Sequence, residues 1–155
     1  TEWVESLLKN NPCKWTVMAF HHPFFSTAAR RDNRVVRENL KPLVDRYRVD
    51  LVLNGHDHTY ARGMMLPEGK TGGGREAGTA YVVSVSGAKQ YRQDAEPWWI
   101  VGFSNRQFWQ AITVDGKRLT YRSYDASGAV ADQFTLTRMR NGKNRLGVAS
   151  ATTTK

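Results

Sequence analysis

Four histidines stand in this chain, and each follows closely on a short apolar run. His21 and His22 follow Trp15–Phe20 (WTVMAF), and His56 and His58 follow Val49–Leu53 (VDLVL) across the pair Asn54-Gly55. Scattered histidines would read as surface or core residues; grouped in this way they point to one site where two strands end side by side. Imidazole in its neutral form ligates zinc and iron and tolerates manganese, and two imidazoles separated by one residue suit two adjacent ions. Asp57, between His56 and His58, is expected to point away rather than to bind metal.

The elements that must position these groups are legible around them. Val49, Leu51, Val52 and Leu53 form a nearly continuous apolar stretch, the pattern of a strand buried on both faces. Asn54-Gly55 breaks it, since glycine permits a sharp turn without steric cost. Trp15–Phe20 reads as another buried strand, and His22–Asp32 as a loop. Between the two runs, Asn33–Tyr47 has the helical spacing Val36, Leu40, Leu43, Val44 and Tyr47, with Pro42 expected to impose a kink or a restart. Strand, helix, strand makes a right-handed βαβ unit with parallel strands, which brings His21 and His56 to one sheet edge. That edge, at the carboxyl ends of the strands, is where open α/β sheets place ligands.

Gly55–Arg62, GHDHTYAR, resembles the closing motif of the calcineurin-like metallophosphoesterases and is especially similar to that of the purple acid phosphatases. WTVMAFHHPFFS resembles the motif before it, a hydrophobic strand followed by a ligand histidine, proline and aromatics. The resemblance covers roughly residues 1–138. It implies the carboxyl-terminal part of a layered α/β sandwich, with a parallel βαβ unit followed by antiparallel β-hairpins, and hydrolysis of phosphate monoesters in the manner of acid phosphatases. The alternatives are a nucleotide phosphodiesterase of the same superfamily and an inactive metal- or anion-binding fragment. The implied cofactors are two divalent or trivalent ions, iron, zinc or manganese, and the implied partner is a phosphate ester. Carried over residue by residue, His21 and His56 share one ion and His58 binds the other.

The family's substrate-side histidines come after the histidine-proline motif, where this chain has Phe24–Arg34 and no histidine. His22 is the candidate catalytic group in their place, with Arg30, Arg31 and Arg34 as other substitutes; packing beside Pro23 is the structural alternative for His22. Tyr60 and Arg62 match the motif and are expected to brace the loop. The Asp-x-His or Asp-x-Gly, Gly-Asp and Gly-Asn-His motifs that complete the family's site do not occur here. The expectation is therefore a chain without the amino-terminal half of the site, with an exposed strand edge that meets that half or another copy.

The remaining sequence bounds the class. With 155 residues, 40% of them apolar and 11% aromatic, the chain has the material for one domain with a sizeable core. Residues 1–140 are expected to form that partial domain and 141–155 a loose tail. No apolar run is long enough to span a bilayer, and Thr1-Glu2-Trp3 begins neither a basic nor an apolar leader segment; the resemblance alone favours a secreted or periplasmic setting. Single Cys13 leaves no internal disulfide. The net charge of +9 is unevenly divided, +2 over residues 1–60 and +7 over the rest; it reads first as a basic soluble surface, with attraction of anionic substrates as the functional alternative. A nucleic-acid partner is disfavoured, because no binding motif accompanies the charge. Thr1–Lys9 reads as an amphipathic helix and Gly63–Gly78 as a glycine-rich loop. Gly69-Lys70-Thr71 within that loop fails the phosphate-loop spacing, since Met64 stands where glycine is required. Thr79–Ser86 reads as a strand. Between Lys89 and Asn105, Tyr91, Trp98, Trp99 and Phe103 are expected to cover the sheet rather than line a pocket. Phe108–Val114 and Leu119–Tyr124 flank the hairpin turn Asp115-Gly116, and Val130–Thr137 returns as a further strand.

Overall fold

The computed structural model describes residues 1–65, 76–94 and 98–148. Gly69-Lys70-Thr71 lies outside them, with most of the expected glycine-rich loop. Helix α1 (Glu2–Lys9) precedes strand β1 (Val17–Phe20), helix α2 (Arg34–Arg46) and strand β2 (Leu51–Asn54). Strands β3 (Tyr60–Met65), β4 (Glu76–Ala77), β5 (Thr79–Val83) and β6 (Trp99–Phe103) follow. The chain continues through β7 (Phe108–Asp115), β8 (Arg118–Asp125), β9 (Val130–Arg138) and β10 (Asn144–Val148).

These strands make two five-stranded sheets, ordered β1-β2-β5-β3-β6 and β4-β10-β9-β8-β7. In the first, β1, β2 and β5 are parallel, β3 runs against them and β6, antiparallel to β3, runs with them again; the second is antiparallel. The expected βαβ unit is therefore present: Val17 pairs in register with Leu51 and Phe20 with Asn54, so both strands end at the same level. The hairpin between β7 and β8 also follows expectation, with Gly116 at φ +53°, a conformation that glycine adopts freely. One apolar core lies between the sheets, centred on Leu51, Met64, Val82, Phe108, Leu119 and Leu136. A second, with Phe24, Val44, Val52, Tyr81 and Trp98, lies on the other face of the mixed sheet, where α2 and the loop after β1 cover it.

Four sequence expectations need correction. First, β1 is not a buried strand. It is the last strand of its sheet, Val17 and Ala19 are exposed, and among the described residues nothing pairs with its outer edge. An apolar groove of ≈ 660 Å³ runs beside it, lined by Trp3, Leu7, Val17 and Leu40 among others. Second, α2 runs on through Pro42 without a restart; the proline's exposed position lets the turn lose one donor without stranding a buried group. Third, residues 63–65, expected to begin the glycine-rich loop, instead complete a fully buried interior strand, Tyr60–Met65. Its polar Arg62 is matched by Asp132 on the opposite sheet, which sequence periodicity cannot register. Fourth, within the stretch expected as a loose tail, Asn144–Val148 pairs along β9. Asn144 is buried there and donates to Asp50 at 2.6 Å.

Glycine is required where β3 meets β6. The pairing register shifts between Arg62 and Gly63, and a Cβ on Gly63 would sit inside the contact distance of the Trp98 carbonyl oxygen and indole ring. Gly63→Ala should cost about 2–3 kcal/mol through the forced separation of the strands. A thermal melt reads this, and an unchanged midpoint would show that the strands separate freely.

Candidate functional site

The turn after β2 is built to lift side chains above the sheet. Asn54 donates through Nδ2 to the Phe20 carbonyl at 2.8 Å, and the Gly55 N–H donates to the His21 carbonyl at 3.1 Å, so the exits of the two parallel strands are tied together. Beyond Gly55 the chain turns with His56 at φ 71° and His58 at φ 50°. Non-glycine residues adopt this left-handed conformation at a cost, and such residues concentrate where a site needs a particular side-chain direction.

Asp57 holds the turn down. It is fully buried, and its Oδ2 accepts from the Thr27 N–H at 2.7 Å; the Thr27 hydroxyl in turn makes a short hydrogen bond with the Thr59 hydroxyl. Asp57 thus faces inward, as the sequence reading expects. It links the histidine turn to the loop after β1.

Three of the four imidazoles come together above this base. His21 Nε2 and His56 Nδ1 are 3.0 Å apart, a hydrogen bond in which one ring donates and the other accepts. The His22 ring lies 4.1 Å from that of His56 and 5.0 Å from that of His21, centroid to centroid. Burial, and after it the charges of His22 and Arg31, hold the His56 pKa below its ordinary value. The neutral ring, the form that ligates metal, therefore persists to lower pH.

His58 takes a different position. Its Nδ1 is 2.9 Å from the Lys89 carbonyl, so Nδ1 carries a hydrogen, and in the neutral ring Nε2 is then the nitrogen with the lone pair. Its ring stacks on Tyr91 at 4.5 Å, and among the described residues no ring contact or hydrogen bond joins it to the other three histidines. A backbone carbonyl behind one ring nitrogen is the usual support of a ligating histidine.

The neighbourhood of Tyr91 was not legible in the sequence. Residues 27–29 and 92–94 run past each other: the Ala29 N–H donates to the Arg92 carbonyl at 3.2 Å, the Asp94 N–H donates to the Thr27 carbonyl at 3.0 Å, and Ala28 bridges to Gln93. This pairing carries Tyr91 to the histidine turn and Arg31 to Tyr91. A single aromatic in an irregular stretch gives no signal of such a contact. The other aromatics of that stretch cover the sheet as expected, with Trp98 buried and Phe103 packed into the inter-sheet core.

The donor set fits only part of a two-ion centre. Imidazole nitrogens are present, but Asp57, the carboxylate of the same turn, faces inward and is engaged by Thr27. Among the described residues no group of three His, Cys, Asp or Glu side chains is arranged to hold a metal ion. A bridged pair of ions needs carboxylates that these residues do not provide.

Comparison with known proteins places this geometry in context. Residues 1–60 match the model of the calcineurin-like phosphoesterase family. Purple acid phosphatase 17 of Arabidopsis thaliana is 26% identical over 132 residues, covering 85% of this chain and 32% of the relative. Purple acid phosphatase 7 of the same plant is 22% identical over 134 residues, with 84% and 38% covered. Among solved structures, the purple acid phosphatase PPD1 from yellow lupin (Lupinus luteus) seeds superposes with a TM-score of 0.78 at 22% identity, over 91% of this chain and 28% of that one. The chain thus spans about a third of the length of the relatives it matches.

Proposed function

We propose, for a chain that belongs to the calcineurin-like phosphoesterases and has the α/β sandwich of the purple acid phosphatases, that its histidine-bearing sheet edge is part of a site for metal-dependent hydrolysis of phosphate monoesters. The observation that carries this reading is the meeting of His21 and His56, 3.0 Å apart, at the level ends of two adjacent parallel strands. His21 and His56 are proposed to serve one ion and His58 the other, through its free Nε2. His22, against the His56 ring, is the proposed group on the substrate side. Iron, zinc or manganese are the ions that imidazole suits.

The carboxylates of such a centre are proposed to come from an amino-terminal half of the same fold. The open edge of β1 and the groove beside it give that half a place to lie. A second reading is metal or anion binding without turnover; it is supported by Asp57, which faces inward with its Oδ2 taken by the Thr27 N–H and so does not join the imidazoles.

Hydrolysis of a generic aryl phosphate separates the parts of this account. The 155-residue chain alone, given zinc, iron or manganese, should turn over the ester no faster than the free ions do, because two-ion catalysis stabilises charge only when both ions are held. Strong metal-dependent hydrolysis by the chain alone would show that its own residues complete the site.

A further inference from the structure

Arg31 occupies a position that its sequence context does not explain. Its guanidinium lies over the Tyr91 ring, 4.7 Å from the centroid, and Tyr91 stacks on His58. Its Nη1 is 3.8 Å from Oδ1 of buried Asp57, near enough for attraction and too far for a hydrogen bond. Among the described residues the Arg31 guanidinium donates no hydrogen bond, and about a third of the side chain is exposed. Arg30, at φ 62°, turns the chain so that Arg31 faces Tyr91. A second cation, Lys89, lies over the same ring at 5.2 Å. The rim of the histidine site therefore carries two cations, and the Asp57 carboxylate is buried beneath it.

We propose that Arg31 is the anion-anchoring residue of this site, donating to the non-bridging oxygens of a phosphate ester, with Lys89 adding charge and Tyr91 fixing the guanidinium plane. The proposal rests on the phosphoesterase reading and adds to it the group that recognises substrate. A guanidinium presents a planar fork of donors that matches phosphate oxygens, whereas an imidazole offers one donor at a time. Asp57 and Tyr91 hold the fork without consuming its donors, which leaves it pre-positioned for an incoming anion. Two arginines of the following helix are already engaged: Arg34 pairs with Glu38, and Arg37 with Asp32 and the Phe24 carbonyl.

The test is a titration of the 155-residue chain with inorganic orthophosphate at fixed ionic strength, chloride replacing phosphate in the control. Arginine side-chain N–H signals are followed by NMR. The Arg31 Nε–H signal should move to saturation. Arg31→Ala should weaken binding by about tenfold, the usual worth of one charge-assisted bidentate contact. Arg46→Ala, at an exposed residue paired with Glu5, should leave it unchanged. An unmoved Arg31 signal in the unsubstituted chain, or equal affinity in Arg31→Ala, would overturn the proposal without any reliance on the variant's folding. A parallel zinc titration keeps the two readings apart. Zinc binding by the histidines with phosphate binding indifferent to Arg31 defeats this proposal alone. Arg31-dependent phosphate binding without zinc binding upholds it and defeats the metal-site reading.

Discussion

Asp132→Ala should destabilise the fold by about 3–5 kcal/mol, because it strands a buried cation. Asp132 and Arg62 are almost completely buried, one on each sheet. Arg62 donates through Nε at 2.6 Å and Nη2 at 2.9 Å, and the Tyr60 hydroxyl donates to the same carboxylate at 2.7 Å. Burial works to lower the Arg62 pKa, and the hydrogen bonds and charge of Asp132 more than offset it, so the group is held charged. Burial likewise pushes the Tyr60 and Tyr121 hydroxyls up, and they stay protonated. Removing the carboxylate leaves a guanidinium with no counter-charge and a tyrosine hydroxyl with only Tyr121, at 3.2 Å, as partner. A loss of that size is a large part of the roughly 5–15 kcal/mol that holds a domain folded. Urea denaturation measures it. The double replacement Arg62→Met with Asp132→Leu should recover much of the loss, since it removes both charges together. A cost for Asp132→Ala below about 1 kcal/mol would mean that water reaches the pair.

Arg62 lies within the motif that resembles a metal site, yet its pair with Asp132 joins the two sheets. Tyr60 and Arg62 were expected to brace a loop; they brace the inter-sheet core. Their strand ends the turn that carries His56 and His58, so the anchoring of β3 to β9 also steadies those imidazoles.

The sequence made the histidine edge legible because each element announces itself locally. The apolar runs before His21 and His56, the helix between them and the glycine turn are all short-range signals, and a right-handed crossover then fixes their neighbourhood. Other features depend on partners distant in sequence. YARGMM does not read as a buried strand until Asp132 is known to face Arg62. NRLGV does not read as a strand until β9 is beside it. WTVMAF looks fully buried because its composition cannot reveal that one sheet edge is open. The stacking of Tyr91 on His58, and of Arg31 on Tyr91, depends on the pairing of residues 27–29 with 92–94, two irregular segments with no periodicity to read.

The second large effect concerns the imidazoles themselves, and it is the most direct test of the claim that they form the metal-facing edge of a phosphoesterase site. Zinc is titrated into the 155-residue chain while the histidine C–H signals are followed by NMR. The account predicts that the His21 and His56 signals shift together as one ion enters between them, replacing their shared hydrogen bond. Binding should be weak, because among the described residues no third donor completes the set. His56→Ala should reduce the affinity by at least about tenfold, and His21→Ala should match it, since each removes half of the donor pair. Undiminished zinc binding in both variants, or no shift at His21 and His56 in the unsubstituted chain, would contradict the account.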